Sequence, residues 1–399
     1  MEFPTLDQAK EKIIHALAKN ENLSPPDIQV VASPYRICPL GAHVDHQGGP
    51  VLGMTIKAYT LIAFVPTKSQ TIKLESKNYP GITTFQLDQT PESTESHWGQ
   101  YVRSAVLALK DQFPIEKGII GLVDGMLPGC GLSSSASVLL AYLYALTKAN
   151  RIKIGPWDYV RLTRLAENKY MGLNNGILDQ TSIVFGQKDH LLYIDTKKES
   201  VTLLPAKSSW SDYRILVAYS GYSRELTTSG FNTRVQECRQ AAESLAHLAD
   251  AGPAQRLSDI PEEIFARFGH RLPPLLGRRA KHYFGEVNRV HGGADAWKNG
   301  RIDVMGQLMY GTYKSLVELY ECGIPALYDL QEIVSTTPGI VGSRFMGGGY
   351  GGCVVGFVEK DFALKAAETV QKAYRNRHPE VADQAAVYLT QSADGIHFL

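Results

Sequence analysis

Residues 127–137 read LPGCGLSSSAS. They stand between a short apolar run, KGIIGLVDGM (117–126), and a longer Ala- and Leu-rich one, ASVLLAYLYALTKAN (136–150). The first has the length and β-branched content of a strand and the second the length of a helix. A strand that ends in glycines and enters a helix brings backbone amides and hydroxyls to the positive end of a helix dipole. That is an anion site, most naturally for phosphates. No GKS or GKT follows the glycines, so it is not a Walker loop. Taken alone, the stretch reads equally well as a serine-rich helix cap after a strand.

Three other segments carry chemistry. Downstream, AENKYMGLNNGILDQ (166–180) places Glu167 on a helix, breaks that helix at GLNNG, and starts another near Asp179. Two carboxylates can then face one cleft, as phosphoryl transfer requires: one for magnesium, one near the attacking hydroxyl. Upstream, RICPLGAHVDHQGG (36–49) clusters an arginine, two histidines and an aspartate around Ala42. It can bind a metal, grip a small polar ligand, or simply turn a loop; a metal is disfavoured because no third His or Cys ligand stands at a suitable spacing. Near the end, GSRFMGGGYGGCVVGF (342–357) has five glycines in six positions before an apolar strand, which implies a tight loop under close backbone contact.

The rest of the chain sets the frame. At 399 residues it exceeds the usual reach of one hydrophobic core, so two lobes sharing a cleft are expected. The balance of Lys+Arg 41 against Asp+Glu 40 argues against a nucleic-acid or membrane-surface footprint. Nothing approaches the roughly 20 apolar residues of a membrane span. Five scattered cysteines, without a CxxC spacing, suit reduced thiols, and the charged N-terminal segment reads as an amphipathic helix rather than a signal peptide. A cytoplasmic protein acting on small molecules, with no obligate protein partner, is the expectation. Strand patterns over 28–87, helical patterns at 98–112, 156–172, 232–250 and 300–322, and a last strand at AAVYLTQ alternate too loosely for a regular βαβ series. The fold class is therefore α+β, divided near residue 208 into lobes 1–208 and 209–399.

Taken together and in this order, the motifs resemble the GHMP kinase family, and within it the galactokinase branch. The resemblance runs from about Pro34 to Val355 and rests on Arg36, Gly41, His43, Asp45, Gly48 and Gly49, on PGCGLSSSAS, on NNGILDQ and on MGGGYGGC. It implies a ribosomal-protein-like N-terminal lobe, a ferredoxin-like C-terminal lobe, and ATP with Mg2+ and a sugar bound between them. It further implies that Asp179 stands beside the anomeric hydroxyl as base or electrostatic guide, with Arg36 paired to it. Gly129, Cys130, Gly131, Leu132, Ser133, Ser134 and Ser135 would wrap the phosphates, Ser135 and Glu167 would hold magnesium, and Gly347, Gly348 and Gly349 would form the third motif's loop. His43, Asp45 and Gly176 would hold sugar hydroxyls.

Ala42 is a departure, because galactokinases usually carry a glutamate there that meets the C6 hydroxyl of galactose. A glutamate would repel a C6 carboxylate by roughly 1 kcal/mol at 4 Å in water and about 4 at an effective dielectric of 20. At about 1.4 kcal/mol per tenfold, that range settles substrate choice. PLGAHVDHQGG in fact looks most similar to galacturonokinases, which phosphorylate galacturonic acid at C1, and His46 in place of a tyrosine would supply a hydrogen bond near the acid. Phe231 stands where galactokinases commonly have a tyrosine touching the C4 hydroxyl; Tyr222 or Arg224 would have to compensate. A galactokinase or arabinokinase is the alternative within the class, and a non-catalytic sugar and ATP sensor is the alternative outside it.

Overall fold

The computed structural model describes residues 3–94, 98–222 and 230–399. Thr5 opens the first helix, α1 (Leu6–Glu21), by exchanging hydrogen bonds with Gln8, and the helix buries Ile13 and Leu17. Four strands follow: β1 (Gln29–Ile37), β2 (Val51–Pro66), β3 (Thr71–Ser76) and β4 (Ile82–Gln86). Helix α2 (Gly99–Lys110) leads to β5 (Ile119–Gly125), the glycine loop and α3 (Ser134–Ala149). Then come α4 (Pro156–Leu165), α5 (Leu178–Phe185) and a hairpin of β6 (His190–Asp195) with β7 (Ser200–Pro205).

The second half opens with β8 (Tyr213–Tyr219) and continues through five helices. These are α6 (Phe231–Leu248), α7 (Glu262–Phe268), α8 (Pro274–Lys298), α9 (Ile302–Ser315) and α10 (Pro325–Thr336). Strands β9 (Ile340–Phe345) and β10 (Cys353–Glu359), helix α11 (Ala363–Arg377), β11 (Ala386–Thr390) and β12 (His397–Phe398) complete the chain.

Two sheets result. The first runs β12-β1-β2-β5-β3-β4, with β6 and β7 joined through the start of β2. Its organiser is β2, whose 16 residues are buried almost without alternation, as in a strand covered on both faces. That length lets it pair β6 at its start, β5 at its end, and β1 on its other side. The second sheet is antiparallel, β11-β8-β10-β9.

The chain leaves the first sheet after β7 and enters the second at β8, but its end comes back. Val31 pairs with Phe398 and Ala32 with His397, so β12, expected within a second lobe of 209–399, belongs to the first sheet. The strand at AAVYLTQ, read as the last, is followed by this shorter one. Two residues in GIHFL carry no strand pattern of their own; their role is to cover the open edge of β1. Two helices loosen into single π turns, Ala166–Tyr170 after α4 and Leu316–Tyr320 after α9, and both turns carry side chains of the site below. No helix among the described residues is long and apolar enough to cross a membrane, and the five cysteines are buried and free.

Candidate active site

A cavity of about 980 Å³ opens between the two sheets. Its wall takes in Arg36, Ala42, His43, Asp45, Gly129, Gly131, Ser133, Ser134, Ser135, Gly176, Asp179, Phe231, Gly347 and Gly348, so most of the residues singled out from the sequence meet in one place.

One end is made of glycine loops. Gly129, Gly131 and Ser133 adopt left-handed backbone conformations, with φ of 75°, 81° and 62°. Ser134 Oγ accepts a hydrogen bond from the Gly129 amide at 3.0 Å, which closes the loop onto the start of α3. From the other lobe Gly347 (φ 66°) presses on this loop; a Cβ there would lie 2.9 Å from the Gly131 carbonyl oxygen. Two backbones therefore touch without side chains between them, and the concave wall left over is amide and hydroxyl. Cys130 and Leu132 bury their side chains in the core, so what they can offer a phosphate is the backbone amide, as expected of the loop. Gly349 stands off the wall, backed onto the Phe345 ring.

In the middle of the cavity β1 meets the first turn of α5. Arg36 Nε and Nη2 both lie 2.8 Å from Asp179 Oδ1, and Nη1 donates to the Gly131 carbonyl at 3.3 Å. Burial opposes the Arg36 charge, and Asp179 more than restores it. The other Asp179 oxygen has no hydrogen-bond partner among the described residues, and the side chain is 28% exposed toward the cleft. Asp45 Oδ2 accepts the Leu178 amide at 3.2 Å, and Gly176 packs so close that a Cβ would sit 2.1 Å from that oxygen. Burial, then repulsion from Asp179, pushes the Asp45 carboxyl up to about 6.

Glu167 is not on the wall. It is 1% exposed, on the π turn after α4, and neither carboxylate oxygen makes a well-formed hydrogen bond. Burial and the neighbouring Asp179 push it up to about 8, with Asn175 partly opposing. A buried acid without donors is what a cation site looks like when its charge is uncompensated. Ser135 lies on the wall.

The other end is built of side chains. Helix α8 fixes the peptide around Ala42: Glu286 Oε1 accepts the Gly41 and Ala42 amides at 2.7 and 3.1 Å, and His282 Nε2 lies 2.9 Å from the Ala42 carbonyl. Glu286 also accepts from Thr312 Oγ1 and pairs with Arg289 at 2.7 Å. His43 has a left-handed backbone (φ 56°), stacks on Tyr320 at 4.6 Å, and keeps a buried Nε2 without a hydrogen-bond partner among the described residues. Phe231, the first residue of α6, lies 5.9 Å from the rings of both His43 and His46.

Two expectations fail here. His46 does not reach the ligand space: its Nδ1 is bonded to Gln47 and its Nε2 to the Tyr320 hydroxyl, at 3.0 and 3.1 Å. Tyr222 is turned away, its hydroxyl donating to Glu380 at 2.7 Å, and Arg224 lies outside the described residues. Four residues escaped sequence reasoning. Glu286 and His282 stand on α8 and Tyr320 on the π turn after α9, with no motif around them. Arg344 lies inside the third motif, GSRFMGGG, where a cation just ahead of the glycines is the available signal.

The comparisons with known proteins agree with this geometry. The description of GHMP kinases N terminal domain matches residues 100–187. A galacturonokinase of Arabidopsis thaliana is 38% identical over 96% of this chain and 95% of its own. A galactokinase of Roseiflexus sp. is 31% identical over 92% of each chain. The crystal structure of Lactococcus lactis galactokinase complexed with galactose superposes with a TM-score of 0.87, covering 98% of this chain and 99% of that one at 28% identity. With whole-length relatives on both sides of that identity and the family's motifs gathered in one cleft, the chain belongs to the GHMP kinase family, among its sugar kinases.

Proposed function

We propose that the protein transfers the γ-phosphoryl group of ATP to the anomeric hydroxyl of D-galacturonic acid, giving galacturonate 1-phosphate and ADP. The observation that carries this reading is the composition of the cavity. A backbone cradle for phosphates at one end is joined by the Arg36–Asp179 pair to a sugar-sized end where the wall at position 42 is a methyl group instead of an acid.

In this reading the amides of 129–135 and the loop at Gly347 and Gly348 hold the triphosphate. Asp179 orients the C1 hydroxyl and takes its proton as the oxygen attacks phosphorus; the bond to the β–γ bridging oxygen breaks and ADP leaves. Arg36 pairs with Asp179 and answers charge on the group in transfer. His43, Asp45 and the Gly176 backbone bind sugar hydroxyls, and Phe231 packs on the ring without donating. Glu167 and Ser135 suit magnesium, which when bound neutralises phosphate charge. The reaction calls on two small molecules and a cation, and on no nucleic acid, membrane or protein partner.

The galactokinase likenesses support a second substrate, galactose, since Ala42 leaves room for a neutral C6 group. Asp179 and the three serines count against a sensor that binds without turnover. Incubation with ATP, Mg2+ and galacturonate tests the chemistry: ADP release should accompany a phosphorus resonance coupled to the anomeric proton. Phosphate at any other carbon, or none, contradicts the reading.

A further inference from the structure

Arg344, near the end of β9, is a guanidinium lining the cavity that forms no direct ion pair with a carboxylate among the described residues. It is 1% exposed and lines the cavity together with Ala42, His43 and Cys38. Nε donates to the Phe345 carbonyl at 3.0 Å and Nη1 to the Cys38 carbonyl at 2.9 Å. Among the described residues Nη2 has no hydrogen-bond partner, and Arg344 forms no ion pair. The other cations nearby are matched, Arg36 by Asp179 and Arg289 by Glu286. A buried guanidinium held only by neutral carbonyls is costly, and such a charge persists where something else completes it. Its field reaches the wall beside Ala42: His43 is kept neutral by burial and by His46, His282 and Arg344, while Glu286, which holds the Ala42 amide, is helped toward its ionised form by Arg289, His282 and Arg344 against its burial.

Resting on the reading of the substrate as a uronic acid, we propose that Arg344 is the specificity residue of this site, its guanidinium receiving the C6 carboxylate of a sugar that enters over Ala42. Two features make it the fitting group. The planar fork of arginine matches a carboxylate, and its burial lowers the local dielectric, so the pair is stronger than one at the surface. The rival cation, Arg36, already spends its Nε and Nη2 on Asp179, and a neutral His43 brings no charge. The absence of an acid at 42 then removes a repulsion and leaves the approach to Arg344 free of a carboxylate from that position.

The test pairs a change in the ligand with a change in the protein. Binding of galacturonate and of its neutral C6 amide is measured by calorimetry on the wild-type enzyme, Arg344→Gln and Arg344→Lys, with ATP binding and galactose turnover as controls. The wild type should prefer the acid by roughly tenfold or more. Arg344→Gln should bind acid and amide alike while ATP binding stays nearly unchanged, a levelling that a purely structural role would not produce. Full retention of the preference in Arg344→Gln, or no preference in the wild type, overturns the assignment. Should the Gln variant fail to fold, Arg344→Lys decides: a surviving preference with weakened galacturonate affinity supports it, and unaltered affinity contradicts it. A wild-type enzyme that phosphorylates galactose and ignores galacturonate sinks the substrate reading itself; galacturonate turnover with an unmoved preference in Arg344→Gln sinks only Arg344.

Discussion

At one end of the cavity the wall is backbone: two glycine loops, from 129–135 and from 347–349, touch through positions where a Cβ would collide. At the other it is side chain: Ala42 and His43, held by Glu286, His282 and Tyr320 from far away in the chain, together with Phe231 and Arg344. Backbone amides bind any phosphate of the right size, so the first end fixes the reaction class. Side chains differ in charge and shape, so the second end fixes the acceptor. The Arg36–Asp179 pair joins the two.

If this division is right, substitutions should separate by where they fall. The largest effect belongs to the junction: Asp179→Asn should lower kcat by roughly a thousandfold while sparing ATP binding, checked by single-turnover kinetics and nucleotide titration. Near-normal kcat would place the base elsewhere. Next, at the side-chain end, Ala42→Glu should cut kcat/KM for galacturonate by roughly fivefold to 700-fold, on the order of 1 to 4 kcal/mol, and galactose far less. Equal losses on both sugars would remove the charge argument. At the backbone end, Gly347→Ala forces a Cβ to 2.9 Å from the Gly131 carbonyl at a φ of 66°. It should raise KM for ATP with either sugar and leave the ratio between sugars alone; a changed ratio would mean that the ends are coupled.

The smallest effect concerns Glu167. Its folded-state pKa of about 8 lies above the ordinary 4.5, so between those values the folded protein holds a proton that the unfolded chain has lost. Stability of the metal-free protein should decline as pH rises through that window and level off above it. Mg2+ should stabilise most at the alkaline end, where the acid is ionised. Glu167→Gln should raise the metal-free melting temperature at pH 8 by roughly a few degrees and abolish the Mg2+ shift, as thermal scans would read. An unchanged Mg2+ shift would move the cation site.

Legibility followed the same division. The strand, glycine loop and helix around 119–149 could be read because glycine and serine runs constrain backbone locally. The neighbourhood of Asp179 was legible for a similar reason, a helix broken by GLNNG and restarted at Leu178. The supports of Ala42 were not, since Glu286 lies some 240 residues away in sequence and its burial arises only when α8 packs against 41–42. His46 misled because its histidine-rich neighbourhood suggests a ligand, whereas Gln47 and Tyr320 consume both ring nitrogens. The short β12 had too few residues to show a pattern, and only the open edge of β1 explains it.

The central claim is that the side-chain end selects an anionic hexose. The ratio of kcat/KM for galacturonate over galactose, measured by ADP release on the wild-type enzyme in a panel with glucuronate and arabinose, tests it most directly. The account predicts a ratio well above one, with galacturonate the best of the four. A ratio below one would contradict it.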